Sequence, residues 1–256
     1  MITFYKYQGT GNDFVIIDNR QLSFSKNDTK LIKQLCDRRF GIGADGLILL
    51  ENHPDADFRM VYYNSDGNPS TMCGNGGRCI VAFAKEIGVI ENEAIFEAVD
   101  GMHEARIVDD IVHLKMQDVD KIEEKQEHLF LNTGSPHHVQ FAKELQQLDV
   151  KTAGAAIRYS ELYGKEGSNI NFVELNGENV AMRTYERGVE DETLSCGTGA
   201  TAVAIAMHHL EKVTSNTVNL TVPGGKLQVT FEKNGSGYKN VFLIGPAKKV
   251  FTGEWL

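Results

Sequence analysis

The sequence predicts an α+β protein made of two related halves, and three observations carry that reading. Short β-rich runs and helical runs are mixed without a regular strand-helix-strand alternation, which argues against a doubly wound parallel sheet and for mainly antiparallel pairing. The 256 residues are 41% apolar, enough for a packed core in one large domain or two ordinary ones. A segment around Cys73 returns around Cys196 with the same internal spacing.

Strands are expected at 14–18 (FVIID), 46–50 (GLILL), 58–64 (FRMVYYN), 112–116 (VHLKM), 181–185 (AMRTY) and 227–231 (LQVTF), each bounded by Gly, Asn or Asp turn residues. Helical spacing is expected over Lys26–Phe40, Gly77–Ile87, Pro136–Leu148 and Thr198–Leu210.

The repeat is Cys-Gly-x-Gly followed by an apolar helical pattern, at Cys73 and again at Cys196, a displacement of 123 positions. At the same displacement Thr10-Gly11-Asn12 lies over Thr133-Gly134-Ser135, and Tyr62 lies over Tyr185. One offset, close to half the chain, points to two related halves facing each other. They are placed at 1–118 and 119–245, joined near Val119.

Composition narrows the function classes. The net charge of −9 is spread along the chain with no clustered Lys and Arg, so nucleic acid is not an expected partner. No run of eighteen apolar residues occurs, and the start MITFYKYQGTGNDFVIID lacks the pattern of a signal peptide, so the expectation is a cytoplasmic protein without a membrane partner. Four cysteines are too few for a disulfide scaffold of this size, and a reducing compartment leaves them as thiols.

A cysteine at a helix start has two chemical consequences. Unsatisfied backbone N–H groups and the positive dipole end favour the thiolate, and the same N–H groups can cradle a carboxylate. Gly74, Gly76, Gly197 and Gly199 carry no Cβ, so a ligand can approach the backbone closely. One such motif alone reads better as buried small residues at a tight strand-to-helix turn, but its duplication reverses that reading, since two on related halves supply a base for one face of a carbon and an acid for the other.

The segments Gly9-Thr-Gly-Asn-Asp-Phe14, Arg39-Phe-Gly-Ile-Gly-Ala-Asp-Gly46, Tyr63-Asn-Ser-Asp-Gly67, Met72-Cys-Gly-Asn-Gly-Gly-Arg78, Gly134-Ser-Pro-His137, Asn169-Ile-Asn-Phe172, Tyr185-Glu-Arg-Gly188 and Cys196-Gly-Thr-Gly-Ala200 resemble the diaminopimelate epimerase family over nearly the whole chain. The resemblance implies two pseudo-symmetric domains, each a β-barrel-like sheet around a central helix, and a homodimer. It also implies that a final strand, within Val241–Trp255, returns to the first domain, so that 246–256 joins 1–118.

By that resemblance Cys73 and Cys196 are the acid and base thiols, and Gly74, Asn75, Gly197 and Thr198 hold the reacting carboxylate. Glu186 binds the reacting ammonium, while Asn12, Asn64, Asn169 and Arg187 read the distant amino-acid head of the substrate. The implied activity is interconversion of LL- and meso-2,6-diaminopimelate, in lysine and peptidoglycan precursor biosynthesis, with no cofactor. Ser135 stands where many family members carry Asn, and Gly46 where some carry Gln; an adjusted contact to the distal head is expected.

Other signals are declined. Gly41–Gly46 matches a dinucleotide fingerprint, but a strand-like run follows where a helix is required. Cys36 and Cys79 read as packing residues. His137-His138 and His208-His209 are adjacent pairs without metal spacing, so no zinc is expected. Three alternatives stay open: a proline or hydroxyproline racemase type, which needs no distal-head reader; a relative lacking the thiol pair; and a cysteine hydrolase using His137, which leaves one cysteine idle.

Overall fold

The computed structural model describes every residue except Glu178. The chain divides into two compact units, Met1–Leu114 with Gly245–Leu256, and Lys115–Ile244. The class is α+β, and the pairing is mainly antiparallel in both units.

In the first unit β1 (Ile2–Gly9) turns back into β2 (Asn12–Asp18) through Thr10 and Gly11, both in the left-handed region at φ 51° and 86°. Two left-handed central residues suit the right-handed twist of a hairpin, and Gly11 takes that conformation without strain. Then follow α1 (Thr29–Cys36), β3 (Gly46–Glu51), β4 (Phe58–Asn64), α2 (Gly74–Glu86), β5 (Glu93–Ala98), β6 (Gly101–Val108) and β7 (Ile111–Lys115). Strands β2 and β3 pair in parallel, as do β4 and β5, while β3–β4, β5–β6 and β6–β7 are antiparallel.

The second unit holds β8 (Ile122–Glu124), β9 (Leu129–Asn132), β10 (Pro136–Phe141), α3 (Val150–Arg158), β11 (Asn169–Asn176) and β12 (Asn179–Glu186). It continues with β13 (Asp191–Thr193), α4 (Gly197–His209), β14 (Thr217–Val222), β15 (Gly225–Asn234) and β16 (Gly237–Pro246). Parallel pairs again interrupt antiparallel ones, at β10–β11 and β12–β14. The last strand, β17 (Lys248–Trp255), belongs to the first unit and pairs antiparallel with β1.

The offset of 123 seen in the sequence governs the structure. Applied to α2 it gives the bounds of α4, and applied to the parallel pair Phe14–Gly46 it gives the parallel pair His137–Asn169. Each unit arranges its strands around one helix, α2 against β1, β2, β3 and β17, and α4 against β9 to β12, β14 and β15. All residues of α4 from Gly197 to Met207 are buried except Thr198, as required of a helix apolar on every face. Its Val203, Ile205 and Met207 join Val139, Val173, Leu220 and Leu243 in one core.

Two expectations from periodicity need correction. Pro136–Leu148 is not a helix: it forms β10 and then a short 3-10 turn at Leu145–Gln147. Its pattern of His137, His138 and Val139, all buried, suits a strand held between β9 and β11, and that pairing on both edges overrides the helical spacing. The helix expected over Lys26–Phe40 spans only Thr29–Cys36. The Asp28 side chain accepts from Leu31 N at 2.9 Å and sets its start, and the Asp37 carboxylate accepts from the N–H groups of Arg39 and Phe40 and turns the chain away. Helix α3 lies outside the expected helices. It is capped by Asp149 and lies against β12 through Gly154, where a Cβ would come within 2.3 Å of Tyr185. Among the described residues no helix is long and apolar enough to cross a membrane.

Candidate active site

In the first unit Cys73 is the residue immediately before α2, with extended backbone at φ −111° and ψ 120°. The first intrahelical bond runs from Gly77 N to Cys73 O, so the N–H groups of Gly74 and Asn75 precede the helical ladder and can serve an anion. The β1–β2 hairpin brings Asn12 to the same place: its Oδ1 lies 3.5 Å from Cys73 Sγ and accepts from Asn75 Nδ2 at 3.1 Å. Asn75 Oδ1 in turn accepts from Arg78 at 2.7 Å. Arg78 is wholly buried and also donates to Thr10 Oγ1 and the Pro246 carbonyl. Burial pulls its pKa down to about 10, which leaves it charged at neutral pH.

On its other side Asn12 donates from Nδ2 to Asp45 Oδ2 at 2.6 Å. Arg38 ties Asp45 to Asp13, and buried Lys6 adds an ion pair with Asp13 at 2.6 Å. Burial raises the Asp13 pKa, but hydrogen bonds and charge from Arg38 and Lys6 outweigh it and hold the group at about 2. A carboxyl depressed from the ordinary 3.8 stabilises the fold above pH 4, and that stability is lost as the pH falls from about 4 to 2. The expected loss is on the order of 2 kcal/mol. Buried His137 and His138, lowered to about 3 and about 4, add to it below pH 6.5, because the unfolded imidazoles take up protons that the folded ones refuse. Urea unfolding at pH 5 and pH 3 checks this. Asp13→Asn should flatten the dependence between them, and an unchanged slope would remove Asp13 from the account.

The second unit repeats the arrangement with different side chains. Cys196 precedes α4 with φ −125° and ψ 115°, and Ala200 N closes the first helical bond on its carbonyl. Its Sγ lies 3.5 Å from Thr198 Oγ1, and the Thr198 carbonyl is fixed by Thr133 Oγ1 at 2.8 Å. Asn169, at the start of β11, donates to Ser135 Oγ at 2.9 Å and to the Pro136 carbonyl, and its Oδ1 accepts from Arg187 N. The Arg187 guanidinium reaches the Glu166 carbonyl at 3.1 Å, and Glu186 accepts from Thr193 Oγ1.

His137 is fully buried, and its Nδ1 faces Asn171 Nδ2 at 3.1 Å. Asn171 Nδ2 also donates to the His138 carbonyl, and Asn171 Oδ1 accepts from Thr184, so the amide can only donate to the ring. The neutral His137 therefore carries its proton on Nε2, and burial followed by the nearby Arg187 charge keeps it neutral. A ring whose accepting nitrogen is already engaged is a poor base for a cysteine nucleophile.

The structure thus joins Asn12, Cys73 and Asn75 in one hydrogen-bonded set, and Ser135, Asn169 and Arg187 in another. Asn64 ends β4 opposite Gly46, with an exposed side chain. At Gly46 a Cβ would come within 2.5 Å of the Tyr62 ring and of the Tyr63 carbonyl, so no longer side chain fits there as these strands are packed. The fingerprint-like stretch before it follows α1 and leads into β3, the reverse of a dinucleotide-binding turn. Cys36 and Cys79 are buried, and burial pushes both thiols up to about 12. Among the described residues no group of three or more His, Cys, Asp or Glu side chains is placed to hold a metal ion. Sequence reasoning passed over Asp45, Arg78, Thr10 and Asn171, the residues that orient the others. All four lie inside the motif segments, at Gly9–Phe14, Arg39–Gly46, Met72–Arg78 and Asn169–Phe172, which is the one signal that marks them.

Comparison with known proteins adds the following. A family model described as diaminopimelate epimerase matches residues 4–122 and 129–250. A diaminopimelate epimerase of Flavobacterium psychrophilum is 61% identical over 249 residues, covering 96% of this chain and 97% of its own. One from Chlorobaculum tepidum is 44% identical, covering 96% and 98%. Among solved structures, a Bacillus anthracis phenazine biosynthesis protein of the PhzF family superposes with a TM-score of 0.77 at 14% identity, covering 100% of this chain and 99% of its own. An Agrobacterium vitis hydroxyproline epimerase does so at 0.70 and 14% identity, covering 98% and 91%. At such identities these two likenesses speak for the fold alone.

Proposed function

We propose that this chain, which belongs to the diaminopimelate epimerase family, interconverts LL- and meso-2,6-diaminopimelate by moving one α-proton between two cysteine thiols. The observation that carries the mechanism is that Cys73 and Cys196 occupy the same position, one residue before equivalent helices, in two units built on one pattern. Inversion breaks the α-C–H bond on one face and forms a new one on the other. A thiolate takes the proton and becomes a thiol, while the second thiol gives up its proton and becomes a thiolate. Cysteine, ordinarily near pKa 8.5, suits both halves of that exchange.

Charge moves into the substrate carboxylate as the α-carbon is deprotonated. The N–H groups of Gly74, Asn75, Gly197 and Thr198 would hold that charge, and being fixed in place they need no reorganisation during the step. Glu186 is assigned to the reacting ammonium. Asn12, Asn64, Asn169 and Arg187 are assigned to the distal head, where a guanidinium offers a carboxylate two parallel donors. No side chain in this scheme needs pyridoxal phosphate or a metal. A homodimer working in the cytoplasm, within lysine and peptidoglycan precursor synthesis, completes the reading.

The test is incubation in deuterated water with LL-diaminopimelate, and with proline as control. We expect deuterium at one α-carbon and formation of the meso compound, unaffected by exhaustive chelation and without added pyridoxal phosphate. Exchange of proline but not diaminopimelate would transfer the assignment to a racemase of imino acids.

A further inference from the structure

The turn that leaves β12 carries Glu186 and Arg187, and its backbone holds a conformation that needs support from outside. Glu190 closes the turn, donating its N–H to the Glu186 carbonyl at 2.8 Å, and stands in the left-handed region at φ 59°. A residue with a Cβ keeps that conformation where its surroundings over-determine it. Here the surroundings act on its side chain. Glu190 Oε1 accepts from Gly188 N at 3.1 Å and from Arg158 Nη2 at 3.4 Å, and Oε2 accepts from the Tyr185 hydroxyl at 3.0 Å. The Tyr159 hydroxyl donates to the same carboxylate. Burial opposes the charge, yet these bonds and the Arg158 charge outweigh it and hold the carboxyl below its ordinary range, so at neutral pH it only accepts.

Arg158, the last residue of α3, acts on Arg187 from the other end. Its side chain is 10% exposed, and its Cζ lies 4.8 Å from the centre of the Tyr159 ring. Gly167 rests directly on its guanidinium, where a Cβ would collide with it, and is itself left-handed at φ 64°. The carbonyl that precedes Gly167 is that of Glu166, and it accepts from the Arg187 guanidinium at 3.1 Å. One buried cation therefore seats both the carboxylate that closes the turn of Arg187 and the peptide that receives its guanidinium. Two neighbouring features are held independently of this brace. Arg187 N donates to Asn169 Oδ1 at 2.9 Å, and Glu186 ends β12 paired with Asp191 of β13. Losing the Glu190 carboxylate thus frees the Arg187 side chain and leaves Glu186 in its ladder.

Given the assignment of Arg187 to the distal head, on which this inference rests, we propose that Glu190 and Arg158 are positioning residues that act through Arg187. Together they fix the angle at which its guanidinium meets the distal carboxylate of the substrate, and so set the affinity for an amino acid with two heads. A planar guanidinium rewards orientation, because its two parallel bonds to a carboxylate form together only when the planes are aligned. Holding it in place before the substrate arrives removes an ordering cost from binding. The distal head is remote from the reacting carbon, so its contacts are the same in the ground state and the transition state. Loss of such an interaction raises KM and leaves kcat.

Glu190→Gly removes the carboxylate and suits the left-handed backbone, so the change adds no strain to the turn. Steady-state kinetics with LL-diaminopimelate should show KM raised about tenfold, the scale of one misaligned charge-assisted hydrogen bond, with kcat within about threefold of the parent. Glu190→Gln keeps the shape and one accepting oxygen, and should restore most of the affinity. Glu190→Asn is one methylene shorter and tolerates the left-handed region; it should behave as Glu190→Gly does, and it serves if that variant fails to fold. The second readout is coupling: in an Arg187→Ala background Glu190→Gly should change kcat/KM by less than about twofold, because nothing remains for the brace to aim. A carboxylate that only stabilised the second unit would lower the melting temperature, leave KM alone and act alike in both backgrounds. An unmoved KM in Glu190→Gly, or an equal loss of kcat/KM with and without Arg187, overturns the proposal. The unaltered protein in the same assay separates the two readings. A parent active on diaminopimelate beside a variant of unmoved KM ends the brace alone, whereas a parent inactive on diaminopimelate ends the epimerase reading and the brace with it.

Discussion

Cys73→Ala and Cys196→Ala are each expected to lower epimerisation by about 10⁴-fold or more, since each removes a proton carrier worth about 10²–10⁴ and leaves one face of the carbon unserved. The two losses should differ in kind. A variant with one sulfur can still remove the α-proton from the epimer that presents it to that sulfur and return solvent deuterium to the same face. Cys73→Ala and Cys196→Ala should therefore each wash out the α-hydrogen of one epimer without inverting it, and of opposite epimers. Cys36→Ala and Cys79→Ala should keep most activity, because burial holds both thiols up at about 12 and neither is a usable base. Their cost is a small cavity, about 1 kcal/mol in thermal unfolding. Proton NMR of the two epimers in deuterated water reads all four variants. Full inversion by either Cys73→Ala or Cys196→Ala would end the two-base scheme.

What the sequence made legible was local or repeated. Cys-Gly-x-Gly before an apolar stretch contains its own reason for a helix start, and α2 and α4 begin immediately after their cysteines. Central strands such as GLILL are apolar at every position, and β3 is buried at every position. The failure at Pro136–Leu148 is instructive because the repeat already held the answer. Displaced by 123, that segment begins over the strand predicted at 14–18, and α3 falls over α1. Pairing with β9 and β11 outweighs the local helical period, in agreement with the correspondence between the two halves.

The site was legible in its parts and opaque in its connections. Asn12 and Cys73 stand out as motif residues, but that Asp45 determines which way Asn12 points depends on contacts 33 residues away, and Arg78 meets Thr10 across 68. Such contacts follow from strand register and helix placement, which no local spacing encodes. Gly46 is similar: in sequence it is a family variation without a side chain, and in the fold it is the place where Tyr62 lies too close for one.

The duplicated glycines Gly76 and Gly199 give the last prediction, because the same substitution at equivalent positions should have opposite outcomes. Neither has a positive φ, and alanine gains up to about 1 kcal/mol over glycine within a helix, less near its start. At Gly76 a Cβ would meet Ile48 Cδ1, Met60 Cε and Phe14 Cζ at 3.2, 3.3 and 3.5 Å, the far ends of side chains that can give by a few tenths of an ångström. The small strain and the helix gain should cancel, leaving stability and kcat within about twofold of the parent. At Gly199 the Cβ would lie 2.6 Å from Asn171 Oδ1 and 3.3 Å from Cys196 Sγ. Asn171 cannot retreat, since it is buried and bonded to His137, to the His138 carbonyl and to Thr184. Either that network breaks or the sulfur is displaced. Overpacking of this kind costs about 1–3 kcal/mol, and moving a proton-transfer atom by about 1 Å costs about 10²-fold in rate. Gly199→Ala should thus melt several degrees lower and lose about a hundredfold in kcat, while Gly76→Ala does neither. Thermal melts and steady-state kinetics on the pair decide it. Equal behaviour of the two variants would mean that Asn171 and Cys196 are less tightly held than their contacts indicate.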